Sequence, residues 1–140
     1  MNPVLKNILA VLAGIVIGGM VNMGLILLSN AVIPLPEGVN PADVESLQAN
    51  MHLFEPKHFI FPFLAHALGT LIGAFIAARF AVNHAMKLAI GIGVFFLIGG
   101  SINAMSLPVP TWFSALDLIV AYIPMAWLGG KIVKGKDIAA

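Results

Sequence analysis

Four polar side chains stand inside long apolar stretches of this 140-residue sequence: Asn22, His66, Asn103 and Asp117. An amide both donates and accepts hydrogen bonds, an imidazole exchanges a proton near neutral pH, and a carboxylate accepts hydrogen bonds or holds a cation. Thr70, about one helical turn after His66, adds a hydroxyl to the same helix face. Polar groups are costly in apolar surroundings and usually face a bundle interior. The sequence therefore predicts a polar pocket built from these five residues.

His66 and Asp117 are the predicted centre of this pocket. Asp117 is the one acid inside an apolar stretch, and His66 is the one histidine well inside such a stretch. A carboxylate in an apolar environment needs a partner, and an imidazole is the nearest candidate. We expect a His66–Asp117 pair that holds one side of a polar ligand or carries a proton. Simple hydrogen bonding between helices is the alternative role.

A second group of candidate ligands lies in HLFEPKH, where His52, Glu55 and His58 stand three residues apart. Imidazole and carboxylate groups suit zinc or another divalent ion. The spacing differs from the H-E-x-x-H pattern of zinc proteases, and Pro56 interrupts a helix here. A divalent metal is the one cofactor that these residues suggest. The sequence carries no nucleotide-binding motif, and histidines on facing helices, which a haem would need, are absent.

The composition places these residues in a membrane. The chain is 60% hydrophobic and 9% charged, with a mean hydropathy of +1.01. Soluble domains carry about 25% charged residues, and a core of this size cannot hide so much apolar surface. The expected partner is therefore the lipid bilayer, and a net charge of +1 gives no reason to expect a nucleic acid. The absence of cysteine excludes thiol chemistry.

Four apolar runs are long enough to cross a bilayer, which takes about 20 residues. The sequence therefore predicts an all-α integral membrane protein, a single domain over 1–140 with four helices in a compact bundle. The predicted spans cover about 7–29, 58–79, 88–107 and 111–130.

Basic residues indicate the orientation of the spans, because Lys and Arg collect on the cytoplasmic side of short loops. Six of the seven Lys and Arg residues fall on one side of the predicted spans, and only Lys57 falls on the other. We therefore expect both termini in the cytoplasm, with the protein in a bacterial inner (plasma) membrane. The six basic residues on the inner side are Lys6, Arg79, Lys87, Lys131, Lys134 and Lys136.

Two segments of the sequence nearly repeat each other: IGGMVN at 17–22 and IGGSIN at 98–103. The offset of 81 residues also relates Lys6 to Lys87. Because the first and third spans run in the same direction, this pattern predicts a parallel repeat of a helical hairpin about an axis along the membrane normal. Chance similarity between two glycine-rich helices is the alternative.

Small residues recur every fourth position on the first two spans. Such residues let helix backbones approach closely in lipid, so we expect packing seams there and a homo-oligomer wherever such a face is left exposed. Gly130, near the end of the fourth span, is expected to lie outside the seams. The seam residues are Ala10, Gly14, Gly18 and Asn22 in the first span, and Ala65, Gly69, Gly73 and Ala77 in the second.

Asn22, His66, Asn103 and Asp117 come one from each span, at roughly 7 to 12 Å from the outer helix ends at the usual rise per residue. The pocket is therefore expected in the outer half of the bundle, above a closely packed inner half. Two prolines inside the spans, Pro62 and Pro124, either kink the helices or free backbone carbonyls toward a cavity.

The outer loop, 30–57, is the one long segment between spans. Asn40 followed by Pro41 is a helix-start pattern, and an amphipathic helix is predicted over about 41–53. We expect it to lie on the membrane or across the mouth of the pocket. Its apolar stripe is formed by Val44, Leu47, Met51 and Phe54.

Three function classes remain open from the sequence. The favoured one is the binding or transport of an ion or a small polar solute in the pocket. The alternatives are a structural or assembly subunit without a ligand of its own, and a membrane-embedded enzyme, metal-dependent or not, that uses His66 and Asp117 with Glu55 or His58 as further candidates.

Overall fold

A computed structural model describes residues 1–133, which form helices joined by turns and contain no strand. Four stretches are long and apolar enough to cross a membrane, so the prediction of an all-α protein with four such helices is confirmed. Lys134 and Lys136 lie outside the described residues. The helices are α1 (Pro3–Val32), α2 (Val44–Asn50), α3 (Ile60–Phe80), α4 (Ala85–Ser106), α5 (Thr111–Val120) and α6 (Ile123–Ile132), with short 3-10 turns at Met51–Leu53 and Pro56–Phe59.

The first helix is longer than the predicted span 7–29. Its 30 residues reach about 45 Å, more than the roughly 30 Å of a bilayer's hydrocarbon core. The start is set by Asn2, whose Oδ1 accepts a hydrogen bond from the Val4 N–H at 2.8 Å, and by Pro3 in the first turn. Proline is well placed there because the first helical residues need no N–H donor.

The predicted small-residue seam joins α1 to α3. A Cβ added to Gly18 would lie 2.6 Å from the Gly69 carbonyl oxygen, and one added to Gly73 would lie 2.7 Å from the Gly14 oxygen. The two backbones therefore touch where the glycines cross, and no larger side chain fits without separating them.

The inner half of the bundle is closed by direct helix contacts. A Cβ on Gly93 of α4 would lie 2.6 Å from the Ala126 Cβ of α6, and alanines fill the space between α3, α4 and α6 around Ile92. The expectation for Gly130 is wrong, because a Cβ there would lie 2.9 Å from the Met86 sulfur. Gly130 belongs to the α4–α6 contact.

The fourth membrane stretch is a broken helix. α5 ends at Val120 and α6 begins at Ile123, with Ala121 and Tyr122 between them. Pro124 stands in the first turn of α6 and lacks the N–H that a continuous helix would need. The helix interruption that Pro124 predicts is therefore present, at the same depth as the polar residues of the spans.

The outer-loop helix is shorter than predicted and begins later. Asn40 Oδ1 accepts from the Ala42 N–H at 3.0 Å and forms a turn, whereas Asp43 Oδ1 caps the helix at the Glu45 N–H. α2 therefore starts at Val44, not near residue 41, and ends in a 3-10 turn after Asn50. Gln48 Nε2 donates to the Ser106 carbonyl at 2.7 Å, which ties this loop to the outer end of α4.

Candidate functional site

The centre of the site is a contact between α3 and α5. His66 Nδ1 lies 2.8 Å from Asp117 Oδ1 and 2.9 Å from Oδ2. With Asp117 as a carboxylate, which only accepts hydrogen bonds, Nδ1 is the donor of this contact. The Asp117 side chain is 6% exposed, against 18% for that of His66. The structure thus brings together the two side chains that the sequence pairs.

Tyr122 is the third member of this group, and the sequence analysis missed it. Its hydroxyl donates to Asp117 Oδ2 at 3.2 Å, and its ring stacks on His66 with 5.7 Å between ring centroids. In a continuous helix, a residue five positions after Asp117 would lie about 140° away around the axis. The break after Val120 changes that register, and Pro124 is the one sequence signal for it.

Gly100 provides the space that Tyr122 occupies. A Cβ added to Gly100 would overlap the tyrosine hydroxyl and lie 2.5 Å from Cζ. Tyr122 is 2% exposed, so its ring has little freedom to move aside. One glycine of the second IGG segment therefore allows the hydrogen bond to Asp117.

A cavity of about 350 Å³ lies beside this group, between α1, α3 and α4. We call it the inner cavity because it lies farther from the outer loop than the second cavity described below. His66, Thr70 and Tyr122 form part of its wall. Both repeated segments contribute as well, each through its two glycines and its final asparagine. These residues are Gly18, Gly19 and Asn22 on α1, and Gly99, Gly100 and Asn103 on α4.

Several polar groups in the inner-cavity wall have no protein partner among residues 1–133. Thr70 is 1% exposed, and its hydroxyl makes no hydrogen bond. The amide of half-buried Asn22, the amide of exposed Asn103 and the Nε2 atom of His66 also make no hydrogen bond in this part of the chain. A buried hydroxyl left unpaired costs about 1–3 kcal/mol. The wall therefore offers hydrogen bonds to whatever enters the cavity.

Asp117 is a predicted pocket residue, and in the structure it lines neither this cavity nor the outer one described below. It lies behind His66 and is 4% exposed. Because it holds the Nδ1 edge of the ring, the opposite edge with Nε2 remains free. Asp117 thus orients His66, as a carboxylate orients a functional imidazole elsewhere.

A second cavity of about 210 Å³, the outer cavity, lies next to the first on the side of the outer loop. The two share Ile26, His66 and Asn103 in their walls. The rest of the outer cavity is mostly apolar. Its wall includes Leu47, Met51 and Phe54 from the outer loop, and Phe59, Leu107 and Phe113 from the bundle.

The candidate metal ligands lie beside the outer cavity. His52 and Glu55 are exposed, whereas His58 is buried and its Nδ1 accepts the Glu55 backbone N–H at 2.8 Å. Within residues 1–133, no three His, Cys, Asp or Glu side chains form a group that could hold a metal ion. The structure therefore does not bring the three predicted ligands together as a metal site.

Comparison with protein-family models, curated proteins and solved structures finds no match for this chain. The chemistry of the site follows from its geometry. His66 Nε2, the Thr70 hydroxyl and two amides form a wall of neutral donors and acceptors. Such a wall suits a polar group that makes several hydrogen bonds.

We expect Gly100→Ala to lower the free energy of unfolding by about 1–3 kcal/mol, because the new methyl group displaces Tyr122 from Asp117. Gly91→Ala is the matched control on α4, since a Cβ there has nothing within 4 Å. It should leave stability unchanged or raise it by about 1 kcal/mol through helix propensity. SDS-induced unfolding in mixed micelles measures both, and equal behaviour of the two variants would contradict the role of Gly100.

Proposed function

We propose that this integral membrane protein binds a small polar ligand in the inner cavity, which the ligand enters from the outer side of the membrane. The observation that carries this proposal is the set of unpartnered polar groups in the cavity wall: the buried Thr70 hydroxyl, His66 Nε2 and the amides of Asn22 and Asn103.

A purely structural role accounts less well for this arrangement. Hydrogen bonds between membrane helices contribute about 0.6 kcal/mol on average, and a structural role would pair the polar groups with each other. His66, Asp117 and Tyr122 are paired in that way. The Thr70 hydroxyl is not paired, and leaving it unpaired costs more free energy than one hydrogen bond between membrane helices contributes. Residues that are retained for ligand binding commonly lower the stability of the folded protein.

The predicted repeat is consistent with the same site. If the two IGG segments are related by an axis along the membrane normal, equivalent residues should face that axis. Asn22 and Asn103, which the offset of 81 residues pairs, line one cavity, and so do Gly18 and Gly99. A ligand on that axis would meet one amide from each half of the protein.

The packing supports access from the outer side. Glycine and alanine contacts close the inner half, whereas the outer cavity lies between the site and the outer loop. The exposed side chains of Arg79, Lys87 and Lys131 near the other helix ends support cytoplasmic termini in a bacterial inner membrane. The function we propose is therefore binding at the outer face. Transport would also require the inner half to open, and the break at Ala121 and Tyr122 is where the fourth span could bend.

Thr70→Val separates binding from a structural role. If the hydroxyl is reserved for a ligand, the isosteric change in ligand-free protein should leave the unfolding free energy unchanged or raise it by about 1 kcal/mol. Thr111→Val, at the exposed first residue of α5, is the matched control and should stay within about 0.5 kcal/mol. A loss of 1 kcal/mol or more for Thr70→Val alone, measured by SDS unfolding, would mean that the hydroxyl holds the bundle together.

Cysteine labelling tests access to the site, and the chain has no cysteine to interfere. Asn22→Cys should react with the membrane-impermeant reagent 2-sulfonatoethyl methanethiosulfonate added to right-side-out spheroplasts, because thiols react as hydrated thiolates. Ile15→Cys, which is equally half-buried on α1 but packs on the inner core, should not react.

Glu37→Cys in the outer loop serves as the reference for this experiment, since residue 37 is exposed. If Glu37→Cys is labelled and Asn22→Cys is not, the cavity is closed to water and the binding proposal fails. If Glu37→Cys is labelled only in inside-out vesicles, the proposed orientation is wrong.

A further inference from the structure

We infer that the ligand is an uncharged amphiphile, whose hydrogen-bonding head occupies the inner cavity while its apolar body lies in the outer cavity. This inference rests on the proposed binding function and adds the chemical class of the ligand. It starts from the adjacency of the two cavities, whose walls share Ile26, His66 and Asn103.

The two cavities differ in chemistry. The inner one holds the buried, unpartnered Thr70 hydroxyl and the free edge of His66. The outer one is lined mainly by apolar side chains, with Ser29, Asn30 and His58 as polar residues at its wall. In its aromatic cluster the Phe59 and Phe113 ring centroids are 4.7 Å apart, and Phe54 lies 5.9 Å from Phe59. A ligand that fills both must therefore be polar at one end and apolar at the other.

The head must be uncharged. Among the described residues, neither cavity wall contains Lys, Arg, Asp or Glu. Asp117 lies behind His66, where the His66 ring and the Tyr122 hydroxyl already satisfy it. An ionised head bound here would lose part of its hydration and meet no Lys, Arg, Asp or Glu in either wall, so an uncharged head binds more favourably. Hydroxyl, ester or amide groups match the donors and acceptors of the wall without that cost.

The outer loop covers the part of the outer cavity in which the apolar body of the ligand would lie. Leu47 and Met51 stand one turn apart and both line the outer cavity, while Leu35 lines it from the segment before α2. Gln48 fixes this loop to the end of α4 through its bond to the Ser106 carbonyl. These contacts favour the predicted placement of the outer-loop helix across the pocket mouth.

The test measures binding of tritiated 1-decanoylglycerol to the full-length protein in dioleoylphosphatidylglycerol nanodiscs, with binding to empty nanodiscs subtracted. We expect saturable binding of one molecule per chain. Decanoate and decyltrimethylammonium, which share the ten-carbon chain but carry charged heads, should bind at least tenfold more weakly at equal mole fraction in the bilayer. Butanoylglycerol, with the same head and a short chain, should also bind at least tenfold more weakly.

Two pairs of variants localise the ligand. Thr70→Val should weaken decanoylglycerol binding at least tenfold, and Thr111→Val should not change it. Leu35→Trp, which fills the outer cavity, should weaken decanoylglycerol but not butanoylglycerol. Val39→Trp is its control, because Val39 is half-buried in the same loop but does not line the cavity.

The outcomes distinguish this inference from the proposed function. Equal binding of the three ten-carbon probes, tighter binding of a charged one, or no saturable binding of decanoylglycerol would overturn the inference. If butanoylglycerol binds as tightly as decanoylglycerol, the polar site stands and the apolar part of the inference falls. If Asn22→Cys is also inaccessible to the thiol reagent, both fail together.

Discussion

The carboxylate of Asp117 is the constraint around which the outer half of this protein is arranged. A carboxylate buried in a helix bundle within lipid must be satisfied, and His66 and Tyr122 provide its partners. Tyr122 reaches it because the fourth membrane stretch breaks after Val120 and because Gly100 leaves room for the ring. The same contact orients His66, so its Nε2 edge is free for the cavity.

Glycine has two opposite roles in the bundle. Where two glycine faces cross, as at Gly14 and Gly73, the backbones touch and close the inner half. Where no helix packs against a glycine, as at Gly19 and Gly99, the missing side chain leaves open space beside the cavity. A few residues of difference in depth therefore separate a sealed region from a binding region, on the same helices.

Hydropathy and spacing predicted much of this arrangement. The four membrane helices follow from apolar length, the α1–α3 seam from small residues every fourth position, and the His66–Asp117 contact from the scarcity of polar groups in the spans. Hydropathy and spacing could not predict three features: the contact of Tyr122 with Asp117, the packing of Gly130, and the position of Asp117 behind His66. Each depends on the helix break or on neighbours from another helix, whereas sequence periodicity assumes continuous helices. The start of α2 was misplaced because Asn40 caps a turn instead of a helix.

The most direct test of this account is an experimental structure of the protein in a lipid bilayer, at a resolution that shows ordered water. The account predicts density for a ligand or water in the space between Asn22, Thr70 and Asn103, within hydrogen-bond distance of the Thr70 hydroxyl and His66 Nε2. The contrary result would be α1 and α4 closed against each other, with the Thr70 hydroxyl bonded to its own helix and no space beside His66. That result would make the polar residues packing contacts and remove the binding site.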